Sequence, residues 1–183
     1  DVRLLFDAGI SGKMAEGRMR VRGHEIRDVT ALIISHDHAD HMRCAGIYQR
    51  KFGLPIHMSV RTHQAYRENL GVLKNVRYFE VGQSLRFGSV TVHTVPTPHD
   101  AADGSVFVVE HDGRRLGILT DLGHSFDALR RLLPTLDAET SWTAGELRGL
   151  KLSDRRVAQD PLGEPDGPVG VARLQRLRRA LEE

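Results

Sequence analysis

The chain has 183 residues, of which 40% are hydrophobic and 27% are charged, and its formal net charge is +2. This size and composition are typical of one globular domain, and the mild positive charge neither requires nor excludes a nucleic-acid partner. The single cysteine, Cys44, excludes a disulfide framework and argues against a thiolate metal site. No stretch approaches about 18 consecutive apolar residues and no signal segment opens the chain, so we expect no membrane span and a cytoplasmic location.

The first part of the chain alternates predicted strands with predicted helices. Apolar runs that end at a glycine or a polar turn predict strands, and capped amphipathic runs predict helices. In chain order these are a strand over 2–9, a helix over 11–23 capped by Ser11, a strand that starts at Thr30 and ends in polar residues at His41, a helix over 42–53 that Gly53 ends, a strand over 55–60 and a helix over 62–69.

The middle of the chain is predicted to be mainly β-structure. Strand candidates cover residues 76–81, 84–87, 89–95, 105–111 and 114–121. The pair Asp112-Gly113 between the last two is a strong hairpin signal. An amphipathic helix over 125–133 follows, and Pro134 ends it. This mixture predicts an α/β protein of the layered α+β kind, with sheets flanked by helices, rather than a doubly wound fold.

The character of the sequence changes near Thr140. Residues 139–170 have weak periodicity and many Gly, Pro and charged residues, which predicts loop or disorder. Residues 171–183 form a predicted terminal helix, whose arginines we interpret as a solvated face rather than a nucleic-acid contact. The sequence therefore predicts a domain over 1–138 and an atypical tail over 139–183.

The segment that carries chemistry is SHDHADH, at the end of a hydrophobic strand. His36 and His38 are two residues apart, so an extended backbone directs both side chains to one side, and Asp40 and His41 follow in the turn. Neutral imidazole and carboxylate suit zinc, iron or manganese. A solvated histidine-rich loop is the alternative. We favour a metal site, because buried histidine and aspartate are costly unless they are paired or bound to metal.

A site of this kind needs ligands from elsewhere in the chain. His99 lies in the polar turn PTPHDAADG after a predicted strand, and Asp121 lies at the end of the strand in LGILTDLG. Both occupy strand ends, as the first motif does, and they are the further candidates. For the remaining histidines we favour packing or solvent contact over ligation: His24, His57, His63, His93, His111 and His124.

The ordered set LLFDAG, SHDHADH, PTPHDA and TDLG resembles the metallo-β-lactamase superfamily, whose signature is HxHxDH. The resemblance covers about residues 2–138. In finer detail the chain is most similar to the WalJ-like (YycJ) branch, whose members are described as metal-dependent hydrolases or DNA exonucleases. The resemblance implies an αββα sandwich, here with an incomplete second half.

The resemblance also implies a role for each matching residue. The implied ligands are His36, His38 and His99 for a first ion, Asp40 and His41 for a second ion, and Asp121 as a bridge between the two. Asp7 would steady the metal-binding loop from behind these ligands. Asp37 receives no ligand role. Two divalent ions, zinc or manganese, are thus implied as cofactors.

The implied chemistry is hydrolysis. A water between two metal ions has a lowered pKa and acts as the nucleophile, and Asp40 is the candidate catalytic residue that orients it. The leading interpretation is phosphodiester hydrolysis of nucleic acid, of the DNA exonuclease type; a hydrolase of a small ester or thioester is an alternative. Arg43, Arg50 and Lys51 are candidates for contact with a nucleic-acid backbone or for a solvated helix face. β-Lactam hydrolysis is disfavoured, because the branch with a cysteine ligand needs that cysteine late in the chain, unlike Cys44.

The chain departs from the family pattern after Ala138. Family members continue with further strands and helices that supply a last metal-binding histidine, whereas no histidine follows His124 here. The first residue is Asp1 rather than Met, and a predicted strand follows at once. Together with the change after Ala138, this leads us to expect a truncated or frame-shifted product of a longer gene. Two alternatives follow, namely a catalytically inactive metal-binding remnant and an interaction module that uses the basic terminal helix.

Overall fold

The computed structural model describes residues 1–141 as an alternation of short strands and helices. The strands are β1 (Leu4–Phe6), β2 (Ala31–Ile33), β3 (Ile56–Ser59), β4 (Val76–Phe79), β5 (Ser84–Phe87), β6 (Val90–Pro96), β7 (Ser105–His111), β8 (Arg114–Leu119) and β9 (Ala138–Ser141). The helices are α1 (Gly12–Arg20), α2 (Ala39–Met42), α3 (Ala45–Phe52), α4 (Val60–Leu70) and α5 (Asp127–Leu132), with 3-10 turns at Ile26–Asp28 and Leu133–Thr135.

The described strands form two sheets. The first has the order β1-β2-β3-β4, and all its strands are parallel. The second has the order β5-β6-β7-β8-β9, in which neighbours are antiparallel except that β9 runs parallel to β8. The Asp112-Gly113 pair joins β7 to β8 with φ values of 48° and 73°, so the predicted hairpin turn is confirmed.

Three apolar clusters hold the layers together. Leu32 and Tyr48 belong to a cluster between the first sheet and its helices. Phe6 and Phe107 meet between the two sheets, with ring centroids 5.1 Å apart. Leu129 of α5 packs in the third cluster, on the outer face of the second sheet. The layers therefore lie in the order helix, sheet, sheet, helix, which confirms the predicted fold class.

The helix predicted over 42–53 is two helices, and the first of them begins earlier than expected. The backbone N–H of Cys44 donates to Ala8 O at 2.9 Å rather than continuing α2, so the chain breaks before α3. Asp40 and His41 consequently lie within the single turn of α2 instead of in an irregular turn. The predicted stop is confirmed, because Gly53 ends α3 in the left-handed conformation.

The predicted boundary after Ala138 falls inside β9, so residues 139–141 form strand rather than loop. The rest of the predicted tail, including the helix expected over 171–183, lies outside the described residues. Among the helices of residues 1–141, none is long and apolar enough to cross a membrane.

The loop after β1 packs directly against the helix turn that follows β2. The backbone N–H of Ala8 donates to His41 O at 2.5 Å. At Gly9 the approach is so close that an added Cβ would overlap the carbonyl group of Asp40. Only a residue without a Cβ allows these two segments to meet, so Gly9 sets the distance between them.

His57 of β3 lies between the two sheets and is 7% exposed. Its ring packs edge-on against Phe87 of β5, with centroids 5.0 Å apart, and its Nδ1 has no hydrogen-bond partner within residues 1–141. Burial, with a smaller contribution from the charge of Arg77, lowers the pKa of His57 to about 4. The predicted packing role is in keeping with these contacts.

Gly9→Ala is expected to destabilise the fold by about 3 kcal/mol or more, because the new methyl group forces the Asp40 backbone to move. Gly17→Ala in the middle of α1 is the matched control, since an added Cβ there meets no described atom within 4 Å. It should be neutral or should stabilise by about 0.5–1 kcal/mol. Urea unfolding measures both, and equal stability of the two variants would contradict the close approach.

His57 is expected to make folding stability depend on pH. Its pKa is about 4 in the folded chain and 6.5 in the reference state. Between these two pH values the imidazole is protonated in the unfolded chain and neutral in the folded chain. Its contribution is fully present above the unfolded pKa and falls by about 2 kcal/mol between about pH 7 and about pH 5. Urea unfolding of metal-free protein at both pH values should show that His57→Leu lacks this loss. An identical pH dependence in the variant would refute the assignment.

Candidate metal centre

The predicted site residues come together at one end of the sandwich, where several strands finish. Each lies in the segment directly after a strand: Asp7 after β1; His36, His38, Asp40 and His41 after β2; His99 after β6; and Asp121 after β8. In a parallel sheet the C-terminal ends of neighbouring strands lie at one edge, which brings the segments after β1 and β2 side by side. The second sheet brings His99 and Asp121 to the same place.

The cluster contains two groups of donor atoms. His36, His38 and His99 form one group, and His36, His41 and Asp121 form the other. In each group the donor atoms all lie within 4.8 Å of one another. The two groups share His36, which is 2% exposed, so its imidazole stands at the junction between them.

The distances within the cluster show which atoms face its centre. In the first group His38 Nδ1 and His99 Nε2 are 3.1 Å apart. In the second group His41 Nε2 and Asp121 Oδ2 are 2.6 Å apart. Asp121 Oδ2 is also 3.7 Å from His36 Nε2. Its carboxylate therefore lies where both groups can reach it.

Asp40 lies beside the second group rather than inside it. Its Oδ2 is 3.6 Å from His41 Nε2, and its side chain is 64% exposed. It is the most solvent-accessible of the predicted ligands in the SHDHADH segment. Its carboxylate can therefore contact water as well as the cluster.

Asp7 lies behind the cluster and is 4% exposed. Its Oδ2 accepts a hydrogen bond from His41 Nδ1 at 2.8 Å, and its Oδ1 accepts from the backbone N–H of Ser35 at 2.7 Å. It belongs to neither donor group among the described residues. Its backbone has φ of 62°, a left-handed conformation that aspartate tolerates better than most residues.

The donor set fits a cation. His36 Nε2 is buried and has no hydrogen-bond partner in the described part of the chain, although a buried polar atom without a partner is costly. It lies 3.7 Å from Asp121 Oδ2, and the rings of His38, His41 and His99 contact its imidazole. Imidazole and carboxylate together suit zinc and manganese, so the residues present fit the ions that the sequence predicts.

Opposite pKa shifts show how charge is divided in this cluster. Burial, together with a smaller contribution from the charge of the neighbouring His41, lowers the pKa of His36 to about 3. Burial also acts to lower the pKa of His41, but hydrogen bonds to Asp121 and Asp7 outweigh it and raise the pKa to about 10. The hydrogen bond from His41 in turn lowers the pKa of Asp121. The two carboxylates therefore favour positive charge beside His36.

The remaining histidines lie outside both donor groups. His63 Nδ1 is 2.7 Å from the hydroxyl of Tyr78, and His93 Nδ1 is 2.7 Å from that of Ser84. The basic residues near the motif are also engaged within the chain. Arg43 donates to Gly9 O, Arg50 donates to Leu70 O, and Lys51 pairs with Glu16.

Sequence reasoning missed Asp37, which connects the two histidine loops. Its Oδ1 accepts a hydrogen bond from the backbone N–H of Ala102 at 2.8 Å, so it ties the loop of His99 to the SHDHADH segment. Gly123 allows the loop of Asp121 to approach the loop of His99 closely. Its φ is +67°, and an added Cβ would lie 2.7 Å from Pro98 O.

For Asp37, the sequence signal was an aspartate inside the motif. That signal did not indicate that Ala102 is its hydrogen-bond partner.

Comparison with known proteins assigns the family. A family profile for the β-lactamase superfamily domain matches residues 2–139. Exodeoxyribonuclease YycJ of Bacillus anthracis is 30% identical over 138 residues, which cover 74% of this chain and 52% of that protein. Exodeoxyribonuclease WalJ of Streptococcus pneumoniae is 29% identical over 140 residues with the same two coverages. The chain thus spans about half the length of the curated relatives it matches.

Solved structures share the fold at lower identity. The metallo-β-lactamase fold protein YhfI from Bacillus subtilis superposes with a TM-score of 0.59 at 20% identity, over 77% of this chain and 60% of that chain. A B3 metallo-β-lactamase with an active-site glutamic acid gives a TM-score of 0.62 at 16% identity, over 75% and 67% of the two chains. On the profile match and this shared architecture, the chain belongs to the β-lactamase superfamily, with the metallo-β-lactamase fold, and it is similar to the YycJ and WalJ proteins.

Proposed function

We propose that this chain is a metal-dependent hydrolase that cleaves phosphodiester bonds of DNA from an end of the strand. The observation that carries the proposal is the buried His36, which belongs to two donor groups and whose Nε2 has no hydrogen-bond partner in the described part of the chain. The curated relatives are named exodeoxyribonucleases, which favours DNA as the substrate. DNA as substrate, together with a single cysteine, also supports the predicted cytoplasmic location.

The donor groups support a two-ion site. The proposed ligands of the first ion are His36, His38 and His99, and those of the second are Asp40 and His41, with Asp121 shared between the two. Asp121 is suited to sharing because one of its oxygens faces both His36 and His41. Nitrogen and oxygen ligands without thiolate favour zinc or manganese.

Divalent ions bound at such a site lower the pKa of water and offset the negative charge that develops on a phosphodiester. The side chains of this chain supply the remaining functions. The exposed Asp40 carboxylate would orient the attacking water and accept its proton. The buried Asp7 carboxylate holds the ring of His41 by accepting from its Nδ1. Asp37 keeps the loop of His99 in place through Ala102.

The three basic residues that follow the motif are engaged within the chain. Arg43 and Arg50 donate to backbone carbonyl groups, and Lys51 pairs with Glu16. The sequence left open a nucleic-acid contact or a solvated helix face for these residues, and the intrachain hydrogen bonds of Arg43 and Arg50 are neither. Recognition of DNA by this chain therefore depends on the cluster itself more than on these three side chains.

The nuclease proposal is tested with end-labelled linear DNA and covalently closed circular DNA, in zinc or manganese. Linear DNA should be shortened from an end and closed circles should remain intact, because an exonuclease needs a free end. His38→Ala should lower the rate at least about 100-fold, as expected for loss of a ligand. Asp40→Asn should also lower the rate strongly while the first donor group still binds its ion.

His93→Ala is the matched control, because His93 lies in β6 outside both donor groups and should leave the rate unchanged. Cleavage that survives His38→Ala would contradict the proposal. Cutting of closed circles would contradict the exonuclease assignment. Hydrolysis of an aryl ester or a thioester without DNA cleavage would favour the small-ester alternative, and metal binding without any turnover would favour the inactive remnant.

A further inference from the structure

Ser35 immediately precedes the first histidine of the cluster, is 1% exposed, and lies between Ser105 of β7 and Asp7 at the end of β1. Its carbonyl oxygen accepts hydrogen bonds from the backbone N–H of Ser105 at 3.1 Å and from the hydroxyl of Ser105 at 3.2 Å. Its own backbone N–H donates to Asp7 Oδ1 at 2.7 Å. The backbone of Ser35 is therefore fixed on both sides, and its hydroxyl has little freedom to move.

The Ser35 hydroxyl connects Asp7 to His36. Its Oγ donates to Asp7 Oδ2 at 2.9 Å and is 2.8 Å from His36 Nδ1. A serine hydroxyl has one hydrogen to donate and two lone pairs to accept with, and an ionised carboxylate can only accept. Because the hydrogen is used on Asp7, the contact with His36 is satisfied when Nδ1 carries a proton and donates it to Oγ.

A neutral imidazole with its proton on Nδ1 has its lone pair on Nε2. In His36 this is the buried nitrogen that has no hydrogen-bond partner among the described residues and that lies 3.7 Å from Asp121 Oδ2. Asp7 acts on His41 in the same sense, since Oδ2 accepts directly from His41 Nδ1 at 2.8 Å. One buried carboxylate thus orients two rings, one directly and one through a hydroxyl.

We propose that Ser35 is a positioning residue that sets the tautomer of His36, so that Nε2 presents a lone pair to the centre of the cluster. The Ser35 hydroxyl donates its hydrogen to Asp7 and is therefore left as an acceptor for the N–H of His36. Asp7 thus acts on His36 through Ser35, whereas it accepts from His41 directly. The functional role of this tautomer, to present Nε2 to an ion, rests on the proposed metal centre. The tautomer itself follows from the hydrogen bonds and exists without an ion. Ser35 is therefore separate from the ligands and contributes through His36.

The test is nitrogen NMR of the imidazole rings in metal-free protein near neutral pH, followed by metal titration in a calorimeter. In the natural sequence His36 should carry its proton on Nδ1. Ser35→Ala removes the acceptor, so the proton should move substantially to Nε2, and the affinity for zinc or manganese should fall by roughly 10–100-fold. Ser35→Thr keeps the hydroxyl and should restore both the tautomer and most of the affinity.

Ser59→Ala is the matched control, because Ser59 is also a buried serine at a strand end. Its Oγ accepts from Thr62 N at 3.0 Å and donates to Thr62 Oγ1 at 3.1 Å, so it caps α4 and does not serve a ligand. This variant loses comparable hydrogen bonds but should leave the His36 tautomer and the metal affinity unchanged.

Two results would overturn the Ser35 assignment. One is a proton on His36 Nε2 in the natural sequence, which needs no variant to be observed. The other is an unchanged tautomer in Ser35→Ala. If His36 shows the expected tautomer and Ser35→Ala changes it, but the natural sequence takes up no metal, the tautomer assignment is supported and the proposed metal centre is overturned.

Discussion

The buried carboxylate of Asp7 accepts three hydrogen bonds, and the arrangement of the cluster depends on them. Two come from the backbone and hydroxyl of Ser35, and the third comes from His41. These contacts fix the end of β1 against the end of β2 and orient the rings that follow. A buried aspartate is costly without such partners. Movement of the loop after β1 would therefore leave the Asp7 carboxylate buried without its hydrogen bonds or would expose it to solvent.

The fold was largely predictable because its strands and helices follow local signals. Ser11 caps α1, Gly53 ends α3, and the Asp112-Gly113 pair makes the hairpin between β7 and β8, as the sequence predicts. The motif from His36 to His41 stood out for a different reason. Several histidines and aspartates at the end of an apolar strand are costly to bury unless they are paired or bound to metal. The positions of His99 and Asp121 at strand ends were enough to select them from the other histidines and aspartates.

What the sequence did not reveal depends on contacts between distant segments. Asp37 meets the backbone of Ala102 and Ser35 meets Asp7, and no local pattern encodes either pairing. The need for glycine at position 9 arises only because the Asp40 backbone packs against it. The break between α2 and α3 has the same origin, since the N–H of Cys44 pairs with Ala8 instead of with its own helix. Tertiary contact therefore overrides local periodicity at this site.

The proposed centre binds two ions, the first at His36, His38 and His99 and the second at Asp40 and His41, with Asp121 shared between them. The most direct measurement is elemental analysis of metal per chain in the purified protein, beside His36→Ala and His99→Ala. We expect two ions in the natural sequence and one in each variant, because His36 and His99 are both proposed ligands of the first ion and neither is a proposed ligand of the second. A natural sequence that retains fewer than two ions, or a His36→Ala variant that keeps both, would contradict the account.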